Sequence, residues 1–345
     1  MWYYQFVKSF YIHTYGCQMN AHESDRLRHM LLMVGFFEAQ TKPEADVVIF
    51  QTCSVRDTAS RKVFTHISQA RKLPRKPTIC VIGCLSALSE KIEGVDILLG
   101  TNQLEVLVEK LSGTKPDTRF GIENSIIIMH GCNNFCSYCI VPYARGREFS
   151  RDSDDIINEF MQVKNVGRVI YLLGQNVNSY KCPRTGTTFV ELVDRICAIE
   201  GDFQLNFISS HPKDFSEELV DCIARNKKIE RNIHLPIQSG NDRILKLMGR
   251  GYTAKEYLDK IMLLRKKVPN VRITTDVICG FPGESEEEFE DTKNLFKQVR
   301  FNAAFIFPYS ERKGTRAATM EGRLSTKIKK ERTTELVKLQ RVLQS

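Results

Sequence analysis

Three cysteines stand close together in GCNNFCSYC, with three residues between Cys132 and Cys136 and two between Cys136 and Cys139. Thiolates are soft ligands, and one tight loop carrying three of them can grip a single metal centre. A four-iron cluster normally takes four cysteines, so three would leave one iron open to something that is not protein. The competing reading is a zinc site with a remote fourth ligand such as His130. Zinc sites usually draw on two CxxC pairs or on Cys/His pairs at wider separation, which disfavours it.

A second set is scattered. Cys17 follows FYIHTYG, Cys53 follows VVIFQT and Cys84 follows ICVIG, spaced 36 and 31 residues apart. Each lies just past a predicted strand, and the carboxyl ends of parallel strands share one edge where ligands of open α/β sheets gather. A predicted helix follows each cysteine, and its positive N-terminal end would favour thiolates. Three unrelated buried thiols are the alternative, but equivalent placement after three successive strands argues against coincidence. Again there are three ligands, leaving an iron free for exogenous sulfur. The remaining cysteines, Cys80, Cys182, Cys197, Cys222 and Cys279, sit in apolar or unremarkable contexts and read as small buried hydrophobes.

Short apolar runs alternate with amphipathic stretches throughout, the pattern of an α/β protein with parallel strands. A first array has strands at 10–14, 47–52, 79–82 and 97–99, with helices at 24–33, 56–72 and 103–111. It ends in SGTKPDTRFG, a polar segment with Gly and Pro that reads as a linker. A second array has strands at 126–130, 168–173, 204–209, 232–237, 273–278 and 304–309. Its six strand-helix units predict an incomplete TIM-type barrel, in which the cysteine loop follows the first strand at the end where barrels do chemistry. Ser150 and Asp152 to Asp155 offer caps and first-turn acids for the first crossover helix, and GESEEEFEDT does so after the fifth strand. The expected domains are 9–113 and 124–345, joined by 114–123.

The chain has 345 residues, 42% of them apolar, enough for two cores. No stretch approaches the roughly 20 apolar residues that span a bilayer, and no leader with a cleavage site is evident at the start. This predicts a cytoplasmic protein with no membrane. Eleven cysteines without a secretory signal point to metals or catalysis rather than disulfides. The net charge of +9 is compatible with an anionic partner such as nucleic acid.

The CxxxCxxC spacing, with Tyr138 before the last cysteine, resembles the radical S-adenosylmethionine superfamily. In that superfamily the amino acid end of the cofactor chelates the open iron, and electron transfer cleaves it to a 5′-deoxyadenosyl radical. Two further segments fit the resemblance. Gly174 and Gln175 in LLGQNVNSY occupy the place where the superfamily binds the cofactor's amino group. Gly280 and Gly283 in CGFPGE would let backbone approach an adenine or ribose closely.

Taken in order, TYGCQMN, QTCSVRDTA, GCNNFCSYCIVPYARGRE, LLGQNVNSY, SSHP, HLPIQSG, TTDVICGFPGE and PYSERKGTRAA resemble MiaB-type methylthiotransferases from about Ile12 onward. QMN after Cys17 is closer to the tRNA-modifying branch than to the ribosomal-protein or threonylcarbamoyl-adenosine branches. The resemblance implies a Rossmann-like N-terminal domain with an auxiliary [4Fe-4S] cluster on Cys17, Cys53 and Cys84. It implies a second [4Fe-4S] cluster on Cys132, Cys136 and Cys139 in the radical S-adenosylmethionine barrel. The implied reaction adds a methylthio group at C2 of N6-isopentenyladenosine beside the anticodon, with the anticodon stem-loop of tRNA as partner and a monomeric enzyme. One S-adenosylmethionine would supply a methyl and another the radical, in a cavity that excludes water.

There are departures: GCLSALSE differs from the usual residues after the third auxiliary cysteine, and Asp152 stands where proline usually follows Ser-Arg. The sequence stops at LVKLQRVLQS, where family members usually continue into a small β-barrel RNA-binding domain called TRAM, expected here to be absent. Arg145, Arg147, Arg250, Arg312, Lys313 and Arg316 are candidates for phosphate contacts, with surface solvation as the plainer role. Tyr143 and Phe149 could stack on a flipped base or simply pack. Other outcomes remain: the same machinery acting on a protein side chain or another modified adenosine, or a non-catalytic iron–sulfur protein. The last would ordinarily complete its cysteine ligation and need no nucleotide-binding glycines.

Overall fold

The computed structural model describes residues 8–54, 57–116, 124–165 and 168–344. The chain divides into two units, Met1–Ile122 with Ile140–Gly146, and Glu123–Cys139 with Arg147–Ser345. The second domain, expected as an unbroken 124–345, is therefore interrupted by a short segment that packs with the first. Residues 117–123 of the expected linker lie outside the described residues.

The first unit is a parallel sheet of β1 (Ser9–Thr14), β2 (Phe37–Glu38), β3 (Val47–Thr52), β4 (Thr78–Gly83) and β5 (Ile97–Leu99). Its helices are α1 (Gln18–Met33), α2 (Asp57–Arg71) and α3 (Leu104–Ser112), joined by α4 (Val141–Arg145) from the returning segment. The β3 run VVIFQT is buried at every position, as a central strand covered on both faces must be. Strand order is β2-β1-β3-β4-β5, so the winding reverses between β1 and β3. That reversal is the crevice where doubly wound sheets bind ligands.

Two expectations are corrected. Helix α1 begins at Gln18, directly after Cys17, rather than at Ser24. Its first turns bury Asn20, His22, Glu23 and Ser24, polar residues that conceal the helical period. No α-helix follows Cys84 directly: Ser86–Leu88 forms only a short 3-10 turn before β5.

The second unit holds β6 (Ser125–Ile127), β9 (Val169–Leu173) and β10 (Gln204–Phe207) in one parallel sheet. A second parallel sheet is made of β11 (Asn232–His234), β12 (Arg272–Cys279) and β13 (Ala303–Pro308). Leu205 on β10 donates to the Lys228 carbonyl (2.7 Å) and accepts from the Glu230 N–H (2.9 Å), just before β11. This bridge puts the six strands in chain order, the partial (β/α)6 barrel expected from the sequence.

The expected strand 126–130 is split. Residues Met129–His130 form β7, which turns away to pair antiparallel with β8 (Phe149–Ser150). The expected strand 232–237 stops at His234: the Leu235 N–H still donates to the Thr274 carbonyl (2.9 Å), but the register then slips by one residue and the Gln238 N–H, not that of Ile237, donates to the Asp276 carbonyl (2.9 Å).

Around the strands lie α5 (Ser153–Val163), α6 (Phe189–Cys197), α7 (Glu217–Arg225), α8 (Asp242–Met248), α9 (Ala254–Lys267), α10 (Glu286–Val299) and α11 (Thr326–Gln344). Asp152 caps α5 by accepting from the Asp154 N–H, and Ser285 with Glu288 forms a capping box on α10. Each such cap is worth about 1 kcal/mol and fixes where the preceding loop ends.

Candidate metal centres

In the first unit the three scattered cysteines follow neighbouring strands at one sheet edge. Thr14 pairs with Gln51 and Thr52 with Gly83, so the residues that follow these strands lie side by side. The Cys84 N–H donates to the Thr52 carbonyl (3.1 Å). Gly16 has φ +110°, and a Cβ there would lie 2.4 Å from the Cys53 Cβ and 2.7 Å from its Sγ. Only glycine lets the loop before Cys17 close on Cys53.

Behind the cysteines lies a buried polar group. Asn20 donates to the carbonyls of Tyr15 (2.7 Å) and Thr52 (2.8 Å), which ties α1 to the ends of β1 and β3. Arg145 donates to Glu23 (2.7 Å) and to Asn20 Oδ1 (2.9 Å), and its guanidinium also reaches Cys84. Gln51 completes the set by donating to Glu23 (2.6 Å). Burial opposes the Arg145 charge, and the Glu23 carboxylate outweighs it, so the guanidinium stays firmly protonated.

Burial pushes the Cys17 thiol above its usual range, and it pushes Cys84 up to about 11. The expectation that helix N-termini favour thiolates here is thus outweighed by desolvation. A bound cation centre is what would draw the protons off. Ser54 Oγ, next to Cys53, is buried without a hydrogen-bond partner. An unpaired buried polar atom beside Cys53, at the edge that also carries Cys17 and Cys84, suits a site built for a polar guest.

In the second unit, Cys132, Cys136 and Cys139 occupy the loop after β7. The Cys139 N–H donates to the Cys136 carbonyl (2.9 Å), and the Asn134 N–H points at Cys132 Sγ (3.5 Å). Ser137 fastens the loop: its N–H donates to Met248 and its hydroxyl to Leu247, both at 2.8 Å. Burial raises the Cys132 thiol as well, Cys136 adding to the effect.

His211 and Arg250 stand against Cys136. His211 Nδ1 accepts from the Lys213 N–H (3.2 Å), which places the proton of the neutral ring on Nε2, 3.9 Å from Cys136 Sγ. Burial, with Arg250 and Lys213 assisting, pushes His211 down to about 2, so the ring is neutral. Arg250 Nη1 lies 3.4 Å from Cys136 Sγ and 3.4 Å from the Tyr138 hydroxyl.

Gly174 ends β9 against β7, where a Cβ would lie 2.5 Å from Met129 Cγ. Beside it Gln175 Oε1, Asn176 Oδ1, Asn178 Nδ2 and Ser210 Oγ are all buried without partners. Such atoms are rare in folded proteins, and four after the carboxyl ends of the neighbouring strands β9 and β10 fit a polar ligand. Gly280 has φ +72°, and the space of its missing Cβ is taken by Lys329 of α11, at 2.6 Å from Cγ. Gly283 has φ +76° and donates to the Gly322 carbonyl (2.8 Å), with open space where a Cβ would project.

The arginines correct one expectation. Arg145 and Arg250 are buried, 7% and 5% exposed, beside the cysteines rather than free for phosphates. Arg147 stacks over the Phe135 ring (4.5 Å) and Arg316 donates to the Phe135 carbonyl (3.0 Å). Tyr143 and Phe149 are exposed. Among the described residues no three His, Cys, Asp or Glu side chains, those of the two cysteine triads included, are already gathered closely enough to hold a single metal ion. Asn20, Glu23 and His211 were not picked out from the sequence; a polar run at a helix start and the HP pair after a strand were the available signals.

Residues 126–296 match the Radical SAM superfamily, and residues 9–100 match Uncharacterized protein family UPF0004. Fold and cysteine loop together define a radical S-adenosylmethionine enzyme of α/β architecture. The tRNA-2-methylthio-N(6)-dimethylallyladenosine synthase of Caldicellulosiruptor saccharolyticus is 41% identical over 96% of this chain and 78% of its own length. That of Moorella thermoacetica is 43% identical over 96% of this chain and 82% of its own length. The chain belongs to this family of MiaB-type methylthiotransferases. Among solved structures, the cobalamin-dependent S-adenosylmethionine radical enzyme OxsB with aqua-cobalamin bound superposes with a TM-score of 0.59 at 11% identity. The match covers 98% of this chain but spans 56% of the length of that enzyme, and the likeness is one of fold.

Proposed function

We propose that this chain is a tRNA-2-methylthio-N6-dimethylallyladenosine synthase, a radical enzyme that installs a methylthio group at C2 of N6-isopentenyladenosine in the anticodon stem-loop of tRNA. The observation that carries the reading is the pair of cysteine triads. Each lies at strand carboxyl ends, each has its own buried arginine, and both stand in a chain over 40% identical to two synthases of that name.

In this reading Cys17, Cys53 and Cys84 hold an auxiliary [4Fe-4S] cluster, and Cys132, Cys136 and Cys139 hold a second. Bound there with S-adenosylmethionine, these groups supply sulfur, methyl and a 5′-deoxyadenosyl radical. The chain's own residues place and shield them. Gly16 and Asn20 close the first triad, and Ser137 pins the loop of the second. Gly174 and Gln175 offer a tight backbone and an unpaired buried carbonyl to the cofactor's amino acid end. Gly280 and Gly283 form the turn after β12 that we assign to the adenosine side.

We assign the 9–113 and 124–345 segments to the auxiliary and radical domains, apart from the returning Ile140–Gly146. The net charge of +9 suits an RNA substrate. No described helix is long and apolar enough to cross a membrane, and the cysteines form no disulfides among the described residues. We therefore picture a monomer working on tRNA in the reducing cytoplasm.

The test is anaerobic reconstitution with iron and sulfide, then iron counting and nucleoside analysis after reaction with isopentenylated anticodon stem-loop RNA, S-adenosylmethionine and reductant. About eight irons per chain and methylthio-adenosine are expected. About four irons would remove the auxiliary cluster. Cofactor cleavage with a full iron complement but no RNA product would point to another substrate.

A further inference from the structure

Each cysteine triad has one buried arginine beside it, and the two arginines are neutralised differently. Arg145 is paired with the Glu23 carboxylate at 2.7 Å, so the first site holds a cation and an anion together. Arg250 has no such partner among the described residues. Its Nε donates to the Tyr252 hydroxyl (2.8 Å) and Nη2 to the Pro236 carbonyl (2.9 Å). Nη1 is left facing Cys136 Sγ and the Tyr138 hydroxyl, both at 3.4 Å.

A guanidinium does not give up its proton under any condition a protein survives. A permanent charge that is 5% exposed and lacks a carboxylate is strongly unfavourable unless something anionic sits next to it. Of the two groups that Nη1 faces, Tyr138 is a neutral phenol, and the sulfur of Cys136, with whatever that sulfur binds, is the one that can carry the anionic charge. Tyr252 shows the arginine to be deliberately held: its hydroxyl donates in turn to the Ile237 carbonyl (2.8 Å), so the guanidinium cannot swing out toward solvent without breaking both bonds.

Reduction of an iron–sulfur cluster by one electron adds one negative charge, and cluster potentials respond to net charge, hydrogen bonds to sulfur and burial. A fixed cation in contact with one ligand sulfur, in a medium of low dielectric, stabilises the reduced form more than the oxidised form. We propose that Arg250 is a positioning residue that raises the reduction potential of the cluster bound by Cys132, Cys136 and Cys139, so that a one-electron donor can reduce it. The proposal rests on the ligand assignment made above. Arg145, cancelled by Glu23, exerts no comparable pull on the auxiliary site.

The measurement is a potentiometric titration of the reconstituted full chain with dithionite and mediators, followed by electron paramagnetic resonance. The part of the reduced signal that changes on adding S-adenosylmethionine reports the cluster on the second triad. Arg250→Gln is expected to make that reduction at least tenfold less favourable, which for one electron is about 59 mV. Arg250→Lys, which keeps the charge, should stay within threefold of wild type. The auxiliary signal and its iron should be unchanged in both. An Arg250→Gln protein that holds the cluster at the wild-type potential overturns the proposal. So does loss of that cluster from both variants, which would make the residue a packing element alone. Loss from the Gln variant with retention at wild-type potential in the Lys variant supports it, because charge is then what the cluster requires. Absence of any cofactor-sensitive signal in the wild type would instead overturn the ligand assignment itself.

Discussion

Arg145 donates to Glu23 across 2.7 Å with both side chains almost wholly out of water, at 3% and 4% exposure. The arginine comes from the returning segment and the glutamate from the second turn of α1, 122 residues apart in sequence. Removing one member leaves an unpaired buried charge, which typically costs about 3–5 kcal/mol, whereas replacing both with apolar groups can be near neutral. Arg145→Ala and Glu23→Ala should each lower the thermal transition of the first unit sharply. The double variant Glu23→Leu/Arg145→Met should recover most of the loss. A double variant as unstable as the sum of the singles would show that the two residues act independently.

Gly16 makes a different demand. A Cβ there would stand 2.4 Å from the Cys53 Cβ, at a φ of +110° that other residues rarely adopt. Gly16→Ala should therefore push the Cys17 loop off Cys53 and lose the auxiliary irons, about four per chain, while the irons on the second triad stay. Overpacking and backbone strain together predict a stability loss of about 1–3 kcal/mol. Iron counting on the reconstituted variant decides it, and a full complement would mean that the loop tolerates the methyl group.

The strands of both units were legible as short apolar runs, whether buried throughout like β3 or alternating like β12, and the six scattered or clustered cysteines because they follow such runs. What escaped was set by pairs distant in sequence. The start of α1 was hidden because Asn20, Glu23 and Ser24 are buried as polar residues, against the usual helical pattern. Those residues are buried because Arg145, Gln51, Thr14 and the carbonyls of Tyr15 and Thr52 receive them, and no local rule reports partners so far off. Arg145 and Arg250, read from the sequence as solvated surface residues or candidates for phosphate contacts, are buried for the same reason: the sequence around an arginine betrays nothing of the distant groups that enclose it. Pro236, by contrast, is a local signal that the strand reading of 232–237 passes over, and the register slips by one residue just beyond it.

His13 gives the first unit a dependence on acid. Its ring lies 4.5 Å from the Tyr15 ring and 5.1 Å from that of His66, whose Nδ1 is bonded to the Tyr15 hydroxyl. Burial first, then the charges of Lys42 and His66, pushes His13 from 6.5 down to about 4. A depressed histidine is held neutral by the fold, so its contribution is fully present above the unfolded value of 6.5 and is lost as pH falls toward 4. The thermal transition should therefore fall on acidification through that window, and His13→Gln should flatten the fall. An identical pH profile in the variant would assign the acid sensitivity to other groups.

The two triads should separate by chemistry. Cys53 is 1% exposed at the sheet edge of the first unit, and Cys136 is 8% exposed between His211 and Arg250 in the second. Neither substitution enlarges a side chain, so each should remove a ligand without rebuilding its unit. Cys53→Ala should abolish methylthio-adenosine formation while leaving S-adenosylmethionine cleavage to 5′-deoxyadenosine. Cys136→Ala should abolish both, because cleavage depends on the second triad alone. Chromatography of the nucleosides and of 5′-deoxyadenosine from one reaction reads both outcomes. A Cys53→Ala enzyme that still makes methylthio product would remove Cys53 from the auxiliary ligands, and a Cys136→Ala enzyme that still cleaves the cofactor would displace the radical centre from its loop.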